Sequence, residues 1–68
     1  MRMQNRLREF RAKKGLTQMQ LADEIGCEQG TVAHYETGLC HPSLHVALRL
    51  ARALNTTVED LFGGEVDG

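Results

Sequence analysis

Hydrophobic residues in this chain recur at helical spacing in five separate stretches, with little of the β-branched patterning that is typical of strands. Turn segments containing glycine, asparagine or proline separate the stretches. The spacing predicts helices over Gln4–Lys14, Gln18–Ile25, Gln29–Glu36, residues 44–54 and Val58–Phe62. We therefore expect a compact all-α, five-helix domain over residues 1–62 and a short, disordered acidic tail over residues 63–68.

The second and third predicted helices form a recognisable pair. Thr17 and Gln20 have the spacing of a capping box, and Gly26 follows the last apolar residue of the second helix, where a helix ends at positive φ. The third helix restarts within three residues, with Val32 and Tyr35 facing inward. Two helices joined by so short a glycine-containing turn meet at a steep angle, which is the helix-turn-helix arrangement.

The net charge of −1 hides a basic end of the molecule. Residues 1–14 hold six cations against one acid, or +5, whereas residues 15–68 sum to −6. A domain with this dipole can present its basic end to phosphates while staying near neutral overall. The alternative is that the first helix simply has a solvated basic face.

The fourth predicted helix is apolar over more of its circumference than a single core requires. Its apolar arc is roughly 220°, whereas covering one core needs little more than about 100°. We expect the surplus face, formed by Val46, Leu50 and Ala53, to be a dimer interface. The alternative is burial of that face by the fifth helix and the tail of the same chain.

Composition argues against several other classes of protein. No apolar run approaches the ~20 residues of a membrane span, and no signal peptide is visible, so we expect a cytoplasmic location. Cys27 and Cys40 show no CxxC motif and no closed ligand set, which favours reduced thiols over a disulfide or a metal site. We expect no enzyme activity, no metal and no cofactor, although a redox-sensing role for Cys40 stays open.

An ordered set of motifs runs along nearly the whole chain, at about residues 4–62. Its members are Leu7, Arg11, Gly15-Leu16-Thr17-Gln18, Leu21-Ala22, Ile25-Gly26, Thr31-Val32, Glu36, Gly38, Pro42-Ser43, Leu48, Ala51-Arg52-Ala53-Leu54 and Val58-Glu59-Asp60-Leu61-Phe62. With these motifs the chain resembles the Cro/repressor-type helix-turn-helix domains, also called the xenobiotic-response-element-like family. The resemblance implies a five-helix domain that binds DNA, usually as a twofold dimer, and regulates transcription.

The same resemblance implies roles for individual residues. Gln18 resembles the family's phosphate-contacting glutamine, where an amide and a helix N-terminus together hold a backbone oxygen. Glutamine suits bidentate contact with an adenine edge, and threonine offers a hydroxyl or a methyl group to thymine. The expected base contacts are Gln29, Gly30, Thr31 and His34, and the expected phosphate contacts are Arg6, Arg8, Thr17, Gln18 and Tyr35.

Several of these residues have a second interpretation. Gly30 either lets the backbone approach a base or lies in a loose first turn, and His34 is either a DNA contact or merely solvated. Arg11 and Glu36 resemble the family's ion pair, which would orient the third helix more than it stabilises the fold. Glu28 replaces the usual Ser or Thr cap, and the loop at residues 38–42 lacks the Lys or Arg of many relatives. These departures predict weaker binding or a greater dependence on the arginines of the first helix.

The predicted function is that of a sequence-specific DNA-binding transcriptional regulator, a repressor. It would read the major groove of double-stranded DNA with its third helix, as a homodimer on an approximately palindromic operator. The alternative is an antitoxin-like or other module that binds a protein partner, or a detached domain of a larger regulator.

Overall fold

A computed structural model describes residues 5–63 of the 68-residue chain. It contains α1 (Leu7–Lys13), α2 (Gln18–Ile25), α3 (Gln29–Thr37), α4 (Leu44–Ala53) and α5 (Val58–Phe62). No strand occurs among these residues, which confirms the all-α prediction. Apart from Gly63, the predicted acidic tail lies outside the described residues.

Helix boundaries agree with the sequence pattern to within one residue except at the start of α1. That helix begins at Leu7, because the side chain of Asn5 folds back over its first turn. The Asn5 carboxamide oxygen accepts from the Leu7 N–H at 3.0 Å, and its nitrogen donates to the Tyr35 carbonyl at 2.9 Å. Residue 5 therefore ties the entry of α1 to α3 instead of extending the helix, and Gln4 lies outside the described residues.

Local signals set the two helices of the helix-turn-helix pair. The predicted capping box is complete: the Thr17 hydroxyl accepts from the Gln20 N–H at 3.0 Å, and the Gln20 side chain accepts from the Thr17 N–H at 2.8 Å. Gly26 ends α2 with φ of 78°, a conformation that a residue with a Cβ adopts only with strain. Because α3 starts at Gln29, only three residues separate the helices.

One hydrophobic core holds all five helices together. Leu7, Leu21, Val32, Leu50 and Leu61 come one from each helix, and each has 0% of its surface exposed. Helix α2 packs against α3 and α4, while α5 contacts both α1 and α4. Because every helix contributes to the same cluster, α3 is anchored to the other helices by its inner side.

The predicted dimer face on α4 is wrong for Leu50. Leu50 belongs to the same core cluster as Leu61 of α5, so its burial comes from its own chain. Val46 and Ala53 are half-buried and pack against that cluster. The exposed apolar side chains of α4 are instead Leu44, at 71%, and Leu48, at 43%.

The burial of Leu61 and the exposure of Leu44 predict very different losses of stability when each is replaced by alanine. Leu61→Ala removes a fully buried side chain and should lower the free energy of unfolding by about 2–5 kcal/mol. Leu44→Ala, at an exposed site, should change it by no more than about 0.5 kcal/mol. Urea denaturation followed by circular dichroism measures both, and equal losses would contradict this description of the core.

Candidate nucleic-acid interface

The outward side of α3 is polar and carries no Asp, Glu, Lys or Arg between residues 29 and 35. Gln29, Gly30 and His34 are exposed there, and Thr31 is half-buried. Tyr35 faces inward and is half-buried, and this burial raises the pKa of its phenol. All four predicted base contacts and the predicted phosphate contact Tyr35 therefore share one helix, and three of the four base contacts are exposed.

The start of α3 lacks the side-chain cap that many helices have. Glu28 occupies the N-cap position with extended backbone angles, but its carboxylate makes no capping hydrogen bond. Its carbonyl oxygen accepts from the Thr31 N–H at 3.0 Å and from the Val32 N–H at 3.4 Å. The first turn is thus closed by a shared acceptor, and backbone N–H groups at this end are left without a side-chain partner.

Gly30 is not required by the packing of the protein itself. A Cβ built on it would have no heavy atom within 4 Å beyond its own helical backbone, and its φ is not positive. Glycine in a helix costs up to about 1 kcal/mol relative to alanine. The free space around Gly30 therefore lies on the solvent side of α3, where an approaching ligand would meet bare backbone.

Behind α3 lies the expected ion pair between Arg11 and Glu36. The Arg11 Nε atom donates to Glu36 Oε2 at 2.5 Å, and its Nη1 atom donates to the Leu16 carbonyl at 2.7 Å. The two charged side chains are only 15% and 5% exposed. The pair therefore links α1, the loop before α2 and the last turn of α3.

Two glutamines continue this hydrogen-bond chain toward the surface. The Gln18 nitrogen donates to Glu36 Oε1 at 3.0 Å, and the Gln29 nitrogen donates to Gln18 Oε1 at 2.6 Å. Sequence spacing could not find these links, because Gln18 is 11 residues from Gln29 and 18 from Glu36. The start of α2 is thereby joined to both ends of α3.

The basic residues of α1 are arranged differently from the sequence expectation. Arg6 lies against α5, where its N–H donates to the Leu61 carbonyl, and its guanidinium pairs with Glu9 at 3.0 Å. That hydrogen bond lowers the pKa of the Glu9 carboxyl. The structure therefore places the Arg6 backbone beside α5 and its charge beside Glu9. Arg8 is exposed and makes no ion pair within residues 5–63.

Other kinds of site find little support in the part of the chain that the structure describes. No group of three or more His, Cys, Asp or Glu side chains there is placed to hold a metal ion. Both cysteines are free thiols, and burial together with the Glu28 carboxylate raises the pKa of Cys27. A raised pKa makes a thiol a poor nucleophile at neutral pH. None of helices α1–α5 is long and apolar enough to cross a membrane.

Comparison with known proteins identifies the family. A family model described as a helix-turn-helix domain matches residues 5–61. This chain belongs to that helix-turn-helix family. A protein of Archaeoglobus fulgidus named as an uncharacterized HTH-type transcriptional regulator is 47% identical over 60 residues, which are 88% of this chain and 86% of that protein. The family is one of DNA-binding transcriptional regulators, which confirms the expectation that this helix-turn-helix domain is not an enzyme.

Solved structures are similar to this helix-turn-helix domain over most of its length. The restriction-modification controller protein C.AhdI from Aeromonas hydrophila has a TM-score of 0.77 and 42% identity, covering 84% of this chain and 83% of that one. The master regulator for biofilm formation SinR, solved in complex with DNA, has a TM-score of 0.73, covering 79% and 87%. At 24% identity the second likeness shows the fold alone.

Replacing Gly30 by alanine should change the stability of the protein and its affinity for DNA in opposite directions. Gly30→Ala should raise the free energy of unfolding by up to about 1 kcal/mol, since alanine favours the helix and no protein atom obstructs its Cβ. The same variant should bind DNA more weakly if the bare backbone approaches a base. Thermal denaturation and a gel-shift assay measure the two effects. An unchanged DNA affinity would show that Gly30 is tolerated without serving close approach.

Proposed function

We propose that this chain is a sequence-specific regulator that inserts α3 into the major groove of double-stranded DNA. The proposal is carried by the exposed, uncharged outer face of α3, on which the Gln29 amide is fixed by its hydrogen bond to Gln18. A side chain held in one orientation loses little conformational entropy when it meets a base edge. The bases would be contacted by Gln29, Gly30, Thr31 and His34.

Phosphate contacts would flank the reading helix. The proposed set keeps Thr17 and Gln18 at the start of α2, Tyr35 on α3 and Arg8 on α1, while Arg6 would have to leave Glu9 to take part. The N-terminus of α2 supports this placement, because backbone N–H groups at a helix start bind anions. Phosphate contacts of this kind fix the register of a protein on DNA without reading sequence.

We further propose that the protein acts as a twofold dimer and represses transcription, in the cytoplasm. An approximately palindromic operator would then have half-site centres one turn apart, about 34 Å. Support for the dimer comes from the exposed Leu44 and Leu48, which are four residues apart and so share one side of α4. Support for repression comes from the resemblance to repressor-type domains.

A second candidate function is recognition of a protein partner, as in an antitoxin-like module. The exposed apolar side chains of Leu39, Leu44 and Leu48 favour it, because apolar surface of this kind is used in protein contacts as well as in dimers. Selection of bound sites from a random DNA pool separates the two functions. Enrichment of one duplex motif supports the regulator, and no retention of any duplex at low salt supports the partner-binding module.

Replacing Gln29 should change the base preference of the protein more than its overall affinity for DNA. Gln29→Ala should relax the base preference at one position of each half-site, because a good bidentate contact gives about 1–3 kcal/mol of discrimination. Competition gel shifts with operators that differ at single positions measure this change. A variant that keeps every preference would remove Gln29 from the reading surface.

Arg8→Ala provides the contrasting variant for that experiment. Loss of one phosphate contact should weaken binding to all sequences alike and flatten the slope of log affinity against log salt by about 0.9. Arg6→Ala should have a smaller effect than Arg8→Ala, since the Arg6 guanidinium already pairs with Glu9. Equal salt slopes for Arg8→Ala and the wild type would exclude Arg8 from the DNA interface.

The dimer hypothesis can be tested through Leu48. Leu48→Glu puts a charge on the exposed apolar side of α4 and should reduce affinity for a two-half-site operator at least about tenfold, with single half-site binding little changed. Sedimentation at micromolar concentration, with and without DNA, measures the stoichiometry. A wild-type protein that stays monomeric both free and on the operator would rule out the dimer.

A further inference from the structure

The hydrogen-bond chain behind α3 has a fixed direction. Arg11 has only donors, and the carboxylate of Glu36, paired with it, has only acceptors. The Gln18 amide must therefore turn its NH2 group toward Glu36, which leaves its oxygen facing Gln29. Gln29 in turn must present its own NH2 group to that oxygen.

Burial makes this direction costly to reverse. The Glu36 side chain is 5% exposed and Gln18 is half-buried, so water cannot readily replace a partner lost at Glu36, although the outer bond from Gln29 to Gln18 is exposed. Rotating the Gln18 amide by half a turn would place its oxygen against the Glu36 carboxylate, setting two acceptors against each other. Glu36 Oε1 would then keep only its longer hydrogen bond from Arg11 Nη2, at 3.4 Å, while facing the Gln18 oxygen with no donor between them.

The direction decides what Gln29 can offer to a ligand. One of its two N–H groups is used by Gln18, so one N–H and the carboxamide oxygen remain on the exposed side. One donor beside one acceptor complements adenine, which offers the N6 amino group and N7. Guanine presents two acceptors, O6 and N7, and would require two donors.

We propose that Glu36 is a specificity-determining positioning residue, which makes Gln29 favour adenine over guanine by fixing the direction of the amide chain through Gln18. Glu36 does not touch the base in this arrangement and acts only through the two glutamines. The proposal rests on the proposed function for its consequence on DNA, but the direction of the amide chain is a property of the free protein.

The decisive variant is Glu36→Gln, which keeps the side-chain shape but can both donate and accept. Gln18 could then adopt either amide orientation, and so could Gln29. The preference for adenine over guanine at the Gln29 position should fall from about tenfold or more to roughly two- or threefold. Competition binding with operators that carry either base at that position measures the ratio.

Glu24→Gln is the matched control. Glu24 lies exposed on α2, so the substitution removes one negative charge from the surface without touching the amide chain. It should keep the wild-type ratio of adenine to guanine binding. A Glu36→Gln protein with the same ratio as Glu24→Gln would overturn the proposal.

Two further measurements keep the proposal testable if Glu36→Gln does not fold or if the protein binds no specific DNA. Gln18→Leu keeps the Arg11–Glu36 pair while removing the link to Gln29, and it should relax the same preference. NMR of the Gln29 side-chain amide in the free protein should show its resonances shifted by Glu36→Gln and unchanged by Glu24→Gln. If no specific duplex is bound, the proposed function fails. Unshifted Gln29 signals in Glu36→Gln would refute the amide direction by themselves.

Discussion

The arrangement of this protein depends on a nearly buried ion pair between Arg11 and Glu36. Removing two charges from water is costly, and a buried pair seldom adds net stability compared with apolar residues of similar size. Here the pair joins the last turn of α3 to α1 and, through the Leu16 carbonyl, to the loop before α2. Its main consequence is geometric. A different mutual orientation of these elements would separate the two side chains and leave a buried charge without its partner, which is costly.

The hydrophobic core and the polar network determine different aspects of the position of α3. Leucines from α1, α2, α4 and α5 fill one cluster, which fixes the depth of α3 through Val32 but has little directional preference. Hydrogen bonds are directional, and those to Glu36 fix the rotation of α3 about its own axis. A small domain can thus present a defined polar face without a large interior.

The sequence predicted those parts of the fold that depend on local chemistry. The capping box at Thr17 and the stop at Gly26 are each decided by a residue and its neighbours. The pairing of Arg11 with Glu36 was predictable only through resemblance to a family. Nothing local indicated the link from Glu36 to Gln18, because it depends on how two helices cross.

The fourth helix shows where pattern reasoning fails. Its broad apolar arc indicated a second contact surface, but an arc gives the amount of apolar surface and not the identity of the covering element. The short helix α5 supplies Leu61 and Phe62 to the core, and Leu50 is buried with them. The exposed surplus is displaced to Leu44 and Leu48, near the start of α4. A five-residue helix such as α5 can therefore bury an apolar face that the sequence pattern alone assigns to a partner.

Electrostatics constrain how a domain of this composition would hold DNA. Lys and Arg number eight against nine Asp and Glu, and Arg6, Arg11 and Lys13 are engaged with acids in the protein itself. With three of the eight cations so engaged, phosphates would be held by Arg8 together with neutral donors, such as the backbone N–H groups at the start of α2, of which the Thr17 hydroxyl occupies only one. Fewer released counterions mean a shallower dependence on salt and less non-specific attachment. A larger share of the binding free energy then has to come from base contacts, so fixing the orientation of Gln29 has more influence here than it would in a strongly basic domain.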